Sequence, residues 1–441
     1  MAEPLTVLFM PESAYGPTNN CIGIGDVLRR RGHTVVFAAE ASWSGRLEPL
    51  GFVEDLVDLA PPPPAEAPAQ DAGQFWKDFI RDTAPEFRKP TIQQLATFMQ
   101  PTWAALIDGA MYCEPHLREI VARQRPDVLV EDNVVAFPAL QTAGKPFVRI
   151  VSCQPLEIRG PDPEAAALIP PPYSGLPADE TAEWQAFREE YDRTHRGTWE
   201  AFDAWCRENG TRPLPELEFI QTSPDLNLYT YPQVVDYTDR RPLDRAIWQR
   251  LDSTVRTTDA AFSLPPDIAD RPSGSALIYL SLGSLGSADV DLMRRLVSVL
   301  GETPHRYIVS KGPQHEQYEL APNMWGAEFL PQTSIIPLVD LVITHGGNNT
   351  TTEAFHFGKP LVVLPLFWDQ YDNAQRVDET GFGVRVPTYA FEPSELTGAI
   401  DRLLADGELR TRMAGIGAEI RARNGVAEAA AAIEALGLAR R

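Results

Sequence analysis

Short apolar runs alternate along the chain with longer amphipathic segments, the pattern of strands buried on both faces with helices lying over them. TVLFM (6–10) is one such run, and residues 20–31 read as a helix that stops at Gly32, a residue able to take the left-handed turn that ends a helix. TVVFAAE (34–40) is the next strand, so the chain opens as a strand–helix–strand unit of a parallel sheet. Further strands are predicted at 127–132, 146–152 and 227–233, with a helix over 181–211, and the strand at 227–233 reads as the last of the first half. A second series of strands begins at 276–284 and continues at 305–312, 326–332, 341–347 and 360–365, with helices between. The pattern predicts an α/β protein of two doubly wound, Rossmann-like domains facing across a cleft. Their bounds read as 1–235 and 275–405, joined by a polar linker over 236–274, and an Ala-rich helical tail over 406–441 is expected to pack back on the N-terminal domain.

Two segments of the first half are rich in aromatic residues: Trp76, Phe79, Phe87, Phe98, Trp103 and Tyr112 after the Pro-rich run at 60–69, and Trp184, Phe187, Tyr191, Trp199, Phe202 and Trp205 at helical spacing. Core packing is the ordinary reading of such sets. The wall of a pocket for an apolar ligand is the other.

Composition narrows the partners. The 441 residues are 44% apolar and 23% charged, enough for two or three domains with cores of their own. A net charge of −22 repels nucleic-acid backbones and anionic membranes. Neither a nucleic-acid partner nor stable membrane insertion is expected. The four cysteines have no CxxC spacing, which argues against a disulfide framework or a zinc site. MAEPLTVLFMPES has no basic n-region and no run approaches the length of a membrane span, so a reducing cytoplasm is expected. Oligomeric state is not readable.

The chemistry concentrates in FLPQTSIIPLVDLVITHGGNNTTTEAFHFGKPLVVLPLFWDQYDNAQRVDETGFGV (329–384). LVIT is a strand, and HGGNNTTTEA turns from it into a helix. Gly346 and Gly347 let backbone approach a ligand, and Asn349 to Thr352 occupy the first turn, where free N–H groups and the helix dipole favour an anion. His345 can donate to a phosphate oxygen. The result is a diphosphate cradle without the lysine of a P-loop. Glu353, one turn further on, suits a sugar diol, and Asp369–Gln370 supply the acceptors and donors that sugar hydroxyls need.

This segment resembles the donor signature of the family-one, UDP-glycosyltransferase-like enzymes of GT-B fold, of the bacterial natural-product type. The family pattern, roughly W-x-P-Q, then H-x-G-x-N-S-x-x-E, then D-Q-x-x-N-A, stands here as Phe329-Leu-Pro331-Gln332, His345-Gly-Gly347-Asn-Asn349-Thr350-Thr-Thr-Glu353 and Asp369-Gln370-Tyr-Asp-Asn373-Ala374. The resemblance implies that Phe329 and Gln332 lie at the nucleobase, that His345, Gly347, Asn349 and Thr350 hold the diphosphate with Ser284 reaching the β-phosphate, that Glu353 binds ribose, and that Asp369 and Gln370 contact the transferred hexose. It implies a nucleotide diphosphate sugar as co-substrate, UDP-glucose favoured over other UDP- and TDP-sugars, with no cofactor, no metal, and a small apolar acceptor bearing an alcohol or phenol. His356 reads as a helix-surface histidine, Asp372 and Asp378 as solvated, and Asp289 as a helix cap.

One part is missing. Inverting members of the family usually carry a G-H-x-N-P-like loop after the first strand, whose histidine takes the acceptor's proton and is oriented by an aspartate at a later strand end. Here Gly16 and Gly32 keep the family's spacing, but Pro17-Thr18-Asn19-Asn20 follows, and none of the seven histidines lies in the loop. Asp132, at the end of VLVED, matches the aspartate. Three readings stand: Asp132 is itself the base, directly or through a water, with Asn19 or Asn20 orienting the acceptor; another residue such as Glu12 serves; or the chain is a nucleotide-sugar-binding or helper protein without catalysis. A nucleotide-sugar epimerase or hydrolase would want more acid–base residues in the first-half loops. The GIG at 23–25 lies inside a helix with no third glycine, which counts against a dinucleotide site and an oxidoreductase.

Overall fold

Apolar β-branched runs form two parallel sheets in the computed structural model, which describes residues 3–61, 82–160 and 162–440. Trp76, Phe79 and most of the Pro-rich run lie outside the described residues. The first sheet holds β1 (Thr6–Pro11), β2 (Thr34–Phe37), β3 (Val53–Glu54), β4 (Val128–Asp132), β5 (Phe147–Val151), β6 (Leu226–Thr230) and β7 (Trp248–Leu251), in the order β3-β2-β1-β4-β5-β6-β7. The second holds β8 (Leu277–Ser281), β9 (Arg306–Ser310), β10 (Met324–Ala327), β11 (Leu341–Thr344), β12 (Leu361–Val363) and β13 (Gly383–Arg385), in the order β10-β9-β8-β11-β12-β13. The longer helices are α1 (Tyr15–Arg30), α2 (Gln100–Gln124), α3 (Trp184–Glu208), α4 (Val290–Gly301), α5 (Asn348–His356), α6 (Gln370–Glu379), α7 (Pro393–Ala405), α8 (Gly407–Arg423) and α9 (Gly425–Ala439). In each sheet the strand order reverses beside the first strand, between β1 and β4 and between β8 and β11, and a crevice at the carboxyl ends there is where such folds bind ligands.

Several elements differ from the sequence reading. The stretch read as linker contains β7, whose pairing with β6 makes it the edge of the first sheet, so the chain leaves that sheet only after Leu251. Its polar composition hid a strand that needs one apolar face only. β3 and β13 were too short to show a period. The loop expected after β1 is helical from Tyr15, so Gly16 to Asn20 form the first turn of α1. The tail is two helices: Asn424 ends α8 in the left-handed conformation (φ 56°) and caps α9 by accepting from the Ala427 amide. α9 lies on α1 and β7 and shares a core with Val7, Ile24 and Val128, and Glu434 pairs with Arg31 (2.9 Å) and His33 (3.1 Å). The two glycines of GIG serve packing: a Cβ on Gly23 would stand 3.2 Å from Val426, and one on Gly25 3.2 Å from Val35.

The two halves meet closely. One apolar core runs from Leu8, Phe98 and Trp103 of the first to Val363 and Phe367 of the second, with the rings of Phe87 and Phe367 4.9 Å apart.

Candidate active site

The cradle forms where β11 meets α5. Gly347 is the N-cap and offers no side chain, so the first N–H groups of α5 keep their positive ends free of a side-chain cap. Beside them the His345 ring is clasped by glycines. A Cβ on Gly283 (φ 70°) would come within 2.8 Å of the ring, and one on Gly347 within 2.5 Å of Nε2. Burial lowers the His345 pKa to about 4, against a hydrogen bond to the Ser281 backbone, so at neutral pH the ring is neutral and donates through one N–H. Ser284 stands in the short turn Gly283–Gly286 after β8, next to that ring.

Asn349, expected at the diphosphate, turns its side chain to the other half. Its Nδ2 donates to the Gly16 carbonyl (3.0 Å) and its Oδ1 accepts from Asn20 Nδ2 (2.9 Å). Asn20 also donates to Ser152 Oγ (2.8 Å) and accepts from Thr254 Oγ1 (2.6 Å), and Ser152 Oγ donates to Asp132 Oδ2 (2.5 Å). A hydrogen-bonded line thus runs from the cradle helix to the carboxyl that ends β4. Asp132 is 2% exposed, and burial raises its pKa to about 8; Ser152 and Arg149 pull it down, Glu12 pushes it up. The Glu12 carboxylate is raised by burial and spends its oxygens on the Ala14 amide (2.8 Å) and Ser13 Oγ (2.9 Å) at the start of α1. Asn19 is half-buried, and no hydrogen bond ties its side chain to Asp132.

Phe329, expected at the nucleobase, is 50% exposed, its ring 5.7 Å from that of Tyr15 across the seam. Gln332 Nε2 donates to Glu353 Oε2 (2.5 Å) and Thr350 Oγ1 (3.1 Å). Arg256 approaches Glu353 Oε1 (3.5 Å) and forks onto Asp259 (2.7 and 2.8 Å), which in turn accepts from Thr333 Oγ1 (2.8 Å). Arg256 was not singled out in the sequence, being one arginine among several in an apparent linker.

The hexose end is covered. Asp369 Oδ2 accepts from the Gln154 amide (3.0 Å), and burial raises its pKa to about 7. Gln370 turns its Oε1 back onto the Leu366 (3.1 Å) and Phe367 (3.3 Å) amides, so its carbonyl is engaged within its own loop and not facing a sugar. Two readings need correction. Asp372 is buried, not solvated: it accepts from the Tyr173 and Gly175 amides of the first half, and its pKa rises to about 8 by burial. His356 is half-buried, not on the surface, with Nδ1 2.8 Å from Ser253 Oγ. Helical period alone places it outward; the crossing chain covers it. Asp289 accepts from the Leu292 amide (3.0 Å), a cap of α4.

Trp368 was not foreseen. It holds φ at 58°, unusual for a large side chain and a mark of local strain. That turn sends its indole into the first half, where it lies 4.7 Å from the Trp103 ring and 5.3 Å from that of Tyr173, and donates to Glu157 Oε1 (3.1 Å). Trp103, Tyr173, Tyr191 and Phe219, with Glu157, Arg159 and Glu218, line a small cavity beside it. Of the aromatics read from sequence, Phe87, Phe98, Phe187 and Phe202 are core, Trp103 and Tyr191 wall this cavity, and Tyr112 faces solvent.

Known proteins share this arrangement. Residues 294–436 match the family described as Erythromycin biosynthesis protein CIII-like, C-terminal domain. The chain is 24% identical to demethyllactenocin mycarosyltransferase of Streptomyces fradiae over 98% of its own length and 86% of that protein's. It is 34% identical to NDP-glycosyltransferase YjiC of Bacillus subtilis (strain 168) over 176 residues, which are 39% of this chain and 44% of that one. The solved structure of glycosyltransferase VinC in complex with dTDP superposes with a TM-score of 0.65 at 16% identity, covering 98% of this chain and 99% of the other. Two parallel-sheet, Rossmann-like domains give the chain the GT-B fold of these glycosyltransferases. In sequence the chain is similar to bacterial glycosyltransferases that include the mycarosyltransferase and the NDP-glycosyltransferase named above. Among the described residues no helix is long and apolar enough to cross a membrane.

Proposed function

We propose that the chain transfers a hexose, with inversion, from a nucleotide diphosphate sugar to a small, largely apolar acceptor bearing a phenol or alcohol. UDP-glucose is the favoured donor; the relative solved with dTDP keeps a thymidine donor beside it. The observation that carries the reading is the line Asn349–Asn20–Ser152–Asp132, which sets a proton-accepting carboxyl next to the cradle at the ends of β1 and β4.

In this reading the C-terminal half takes the donor. Ser284, His345, Gly347, Thr350 and the free N–H groups of α5 hold the diphosphate, and so does Asn349, through its backbone in place of its side chain. As the bond from the anomeric carbon to the diphosphate breaks, charge grows on the leaving oxygens, and these fixed donors meet it without a metal. Phe329 and Gln332 face the nucleobase, and Glu353, steadied by Gln332 and Arg256, takes the ribose hydroxyls. Asp369 reads the hexose once its amide partner gives way, and Gln370 borders it. The acceptor lies in the N-terminal half against Trp103, Tyr173 and Trp368. Its oxygen attacks the anomeric carbon from the side opposite the diphosphate while its proton passes to Asp132. A carboxyl whose pKa burial raises to about 8 is a better proton acceptor than an exposed one. The Glu12 carboxylate, committed to the start of α1, is the weaker candidate.

The test is mass-detected product formation with UDP-glucose or dTDP-glucose, a chelator, and a panel of phenols, alcohols and enols, with donor binding followed by calorimetry. A hexose adduct in the chelator supports the reading. Binding without an adduct favours the helper-protein reading, to which the histidine-free loop lends support. Neither outcome leaves the cradle without a role.

A further inference from the structure

The partner that a loop histidine would have offered to Asp132 is supplied from the end of β5. Ser152 meets the carboxyl through its Oγ (2.5 Å) and its backbone N–H, and the residue is 7% exposed at the seam between the halves. A serine hydroxyl has one hydrogen and two lone pairs. The hydrogen goes to Asp132, one lone pair takes Asn20 Nδ2 (2.8 Å), and among the described residues no side chain donates to the second. Asn20 Nδ2 spends its other hydrogen on Asn349 of the cradle helix, so the Ser152 oxygen sits two hydrogen bonds from the donor site. Cys21 Sγ also lies 4.0 Å from the same carboxylate oxygen, and burial and the carboxylate push its thiol well up, so it stays protonated there.

Resting on the glycosyl-transfer reading, we propose that Ser152 is a catalytic residue that relays the acceptor's proton to Asp132. The acceptor O–H donates to the free lone pair of Ser152 Oγ. As the acceptor oxygen bonds to the anomeric carbon and the diphosphate leaves with its electron pair, that proton moves to Ser152 Oγ and the serine's own proton moves to Asp132 Oδ2. Serine ends neutral, Asp132 ends protonated, and no other reactant is needed. Asn20 is a positioning residue: it holds the serine rotamer and ties it to the cradle.

A series of phenols of graded acidity separates this role from packing. Ser152→Ala is expected to slow transfer to weakly acidic phenols about 100-fold or more, the usual worth of a positioned proton acceptor. With phenols already ionised at the assay pH the loss should shrink to about threefold or less, because they bring no proton. Donor affinity should not change, and Ser152→Thr, which keeps the hydroxyl, should recover most of the rate. A loss equal across the series, or no loss at all, overturns the relay. Should Ser152→Ala not fold, Ser152→Cys is expected to follow the same acidity trend, and a flat response there overturns it too. If the unsubstituted chain binds donor yet glycosylates no phenol, the transfer reading itself falls and the relay with it.

Discussion

The proposed mechanism gives Asp132 and His345 opposite work, and each can be tested alone. Asp132→Asn keeps shape and removes the proton acceptor. Transfer to a weakly acidic phenol should fall at least about 100-fold with the donor dissociation constant unchanged. Full activity in that variant would remove Asp132 from the chemistry. Because burial raises its pKa to about 8, and only the ionised form accepts a proton, the rate of the native chain should climb between pH 6 and 9. Asp369 and Asp372, raised to about 7 and about 8, titrate in the same window, so a climb that persists in Asp132→Asn would belong to them. His345→Ala should raise the donor dissociation constant about tenfold, the equivalent of ~1.4 kcal/mol for one lost charge-assisted hydrogen bond. An unchanged constant would overturn its place in the cradle.

At the scale of elements, α9 packs against the first sheet where an extra atom has no room. A Cβ on Gly437 would come within 2.7 Å of Val128 and 2.8 Å of Leu5. Gly437→Val should cost about 1–3 kcal/mol and lower the melting temperature, with donor affinity little changed. An unaltered melting curve would mean the helix yields freely there. Such details also mark how far the sequence could be read. The long strands were legible because burial on both faces makes continuous apolar runs, and the turn from β11 into α5 because its residues are contiguous. β7 was not, because an edge strand needs only part of that pattern. Nor was the helical start at Tyr15, in a stretch with glycine, proline and two asparagines. The contributions of Ser152, Arg256 and Trp368 depend on contacts between residues distant along the chain, such as Asn20–Ser152, Arg256–Glu353 and Glu157–Trp368, and no local period encodes those. Gln370 shows the converse: the motif names the residue but not the direction of its side chain.

Across the whole molecule, burial lifts several carboxyls well above the usual carboxylate range. Asp132, Asp369, Asp372, Glu131 and Glu218 are all raised by burial, to values between about 7 and about 8. Each has a folded pKa above its unfolded one, so above pH 4 the unfolded chain loses these protons first and stability falls as pH rises toward 8. His195, His345 and His356 act the other way, but only below their unfolded value, as they are lowered to about 4. Between pH 8.5 and 6.5 the carboxyls dominate, and the melting temperature should rise as pH is lowered across that interval. A flat or falling value would mean that these groups are ionised in the folded chain. The same scale governs how the halves can be recombined. The chain crosses to the second sheet after Leu251 and comes back through α8 to seat α9 on α1. The halves are thus joined by two covalent crossings. Anyone exchanging the donor half for that of a relative must therefore cut twice, once before β8 and again before α9, because a single-junction chimera would carry a foreign last helix into the core of the acceptor half.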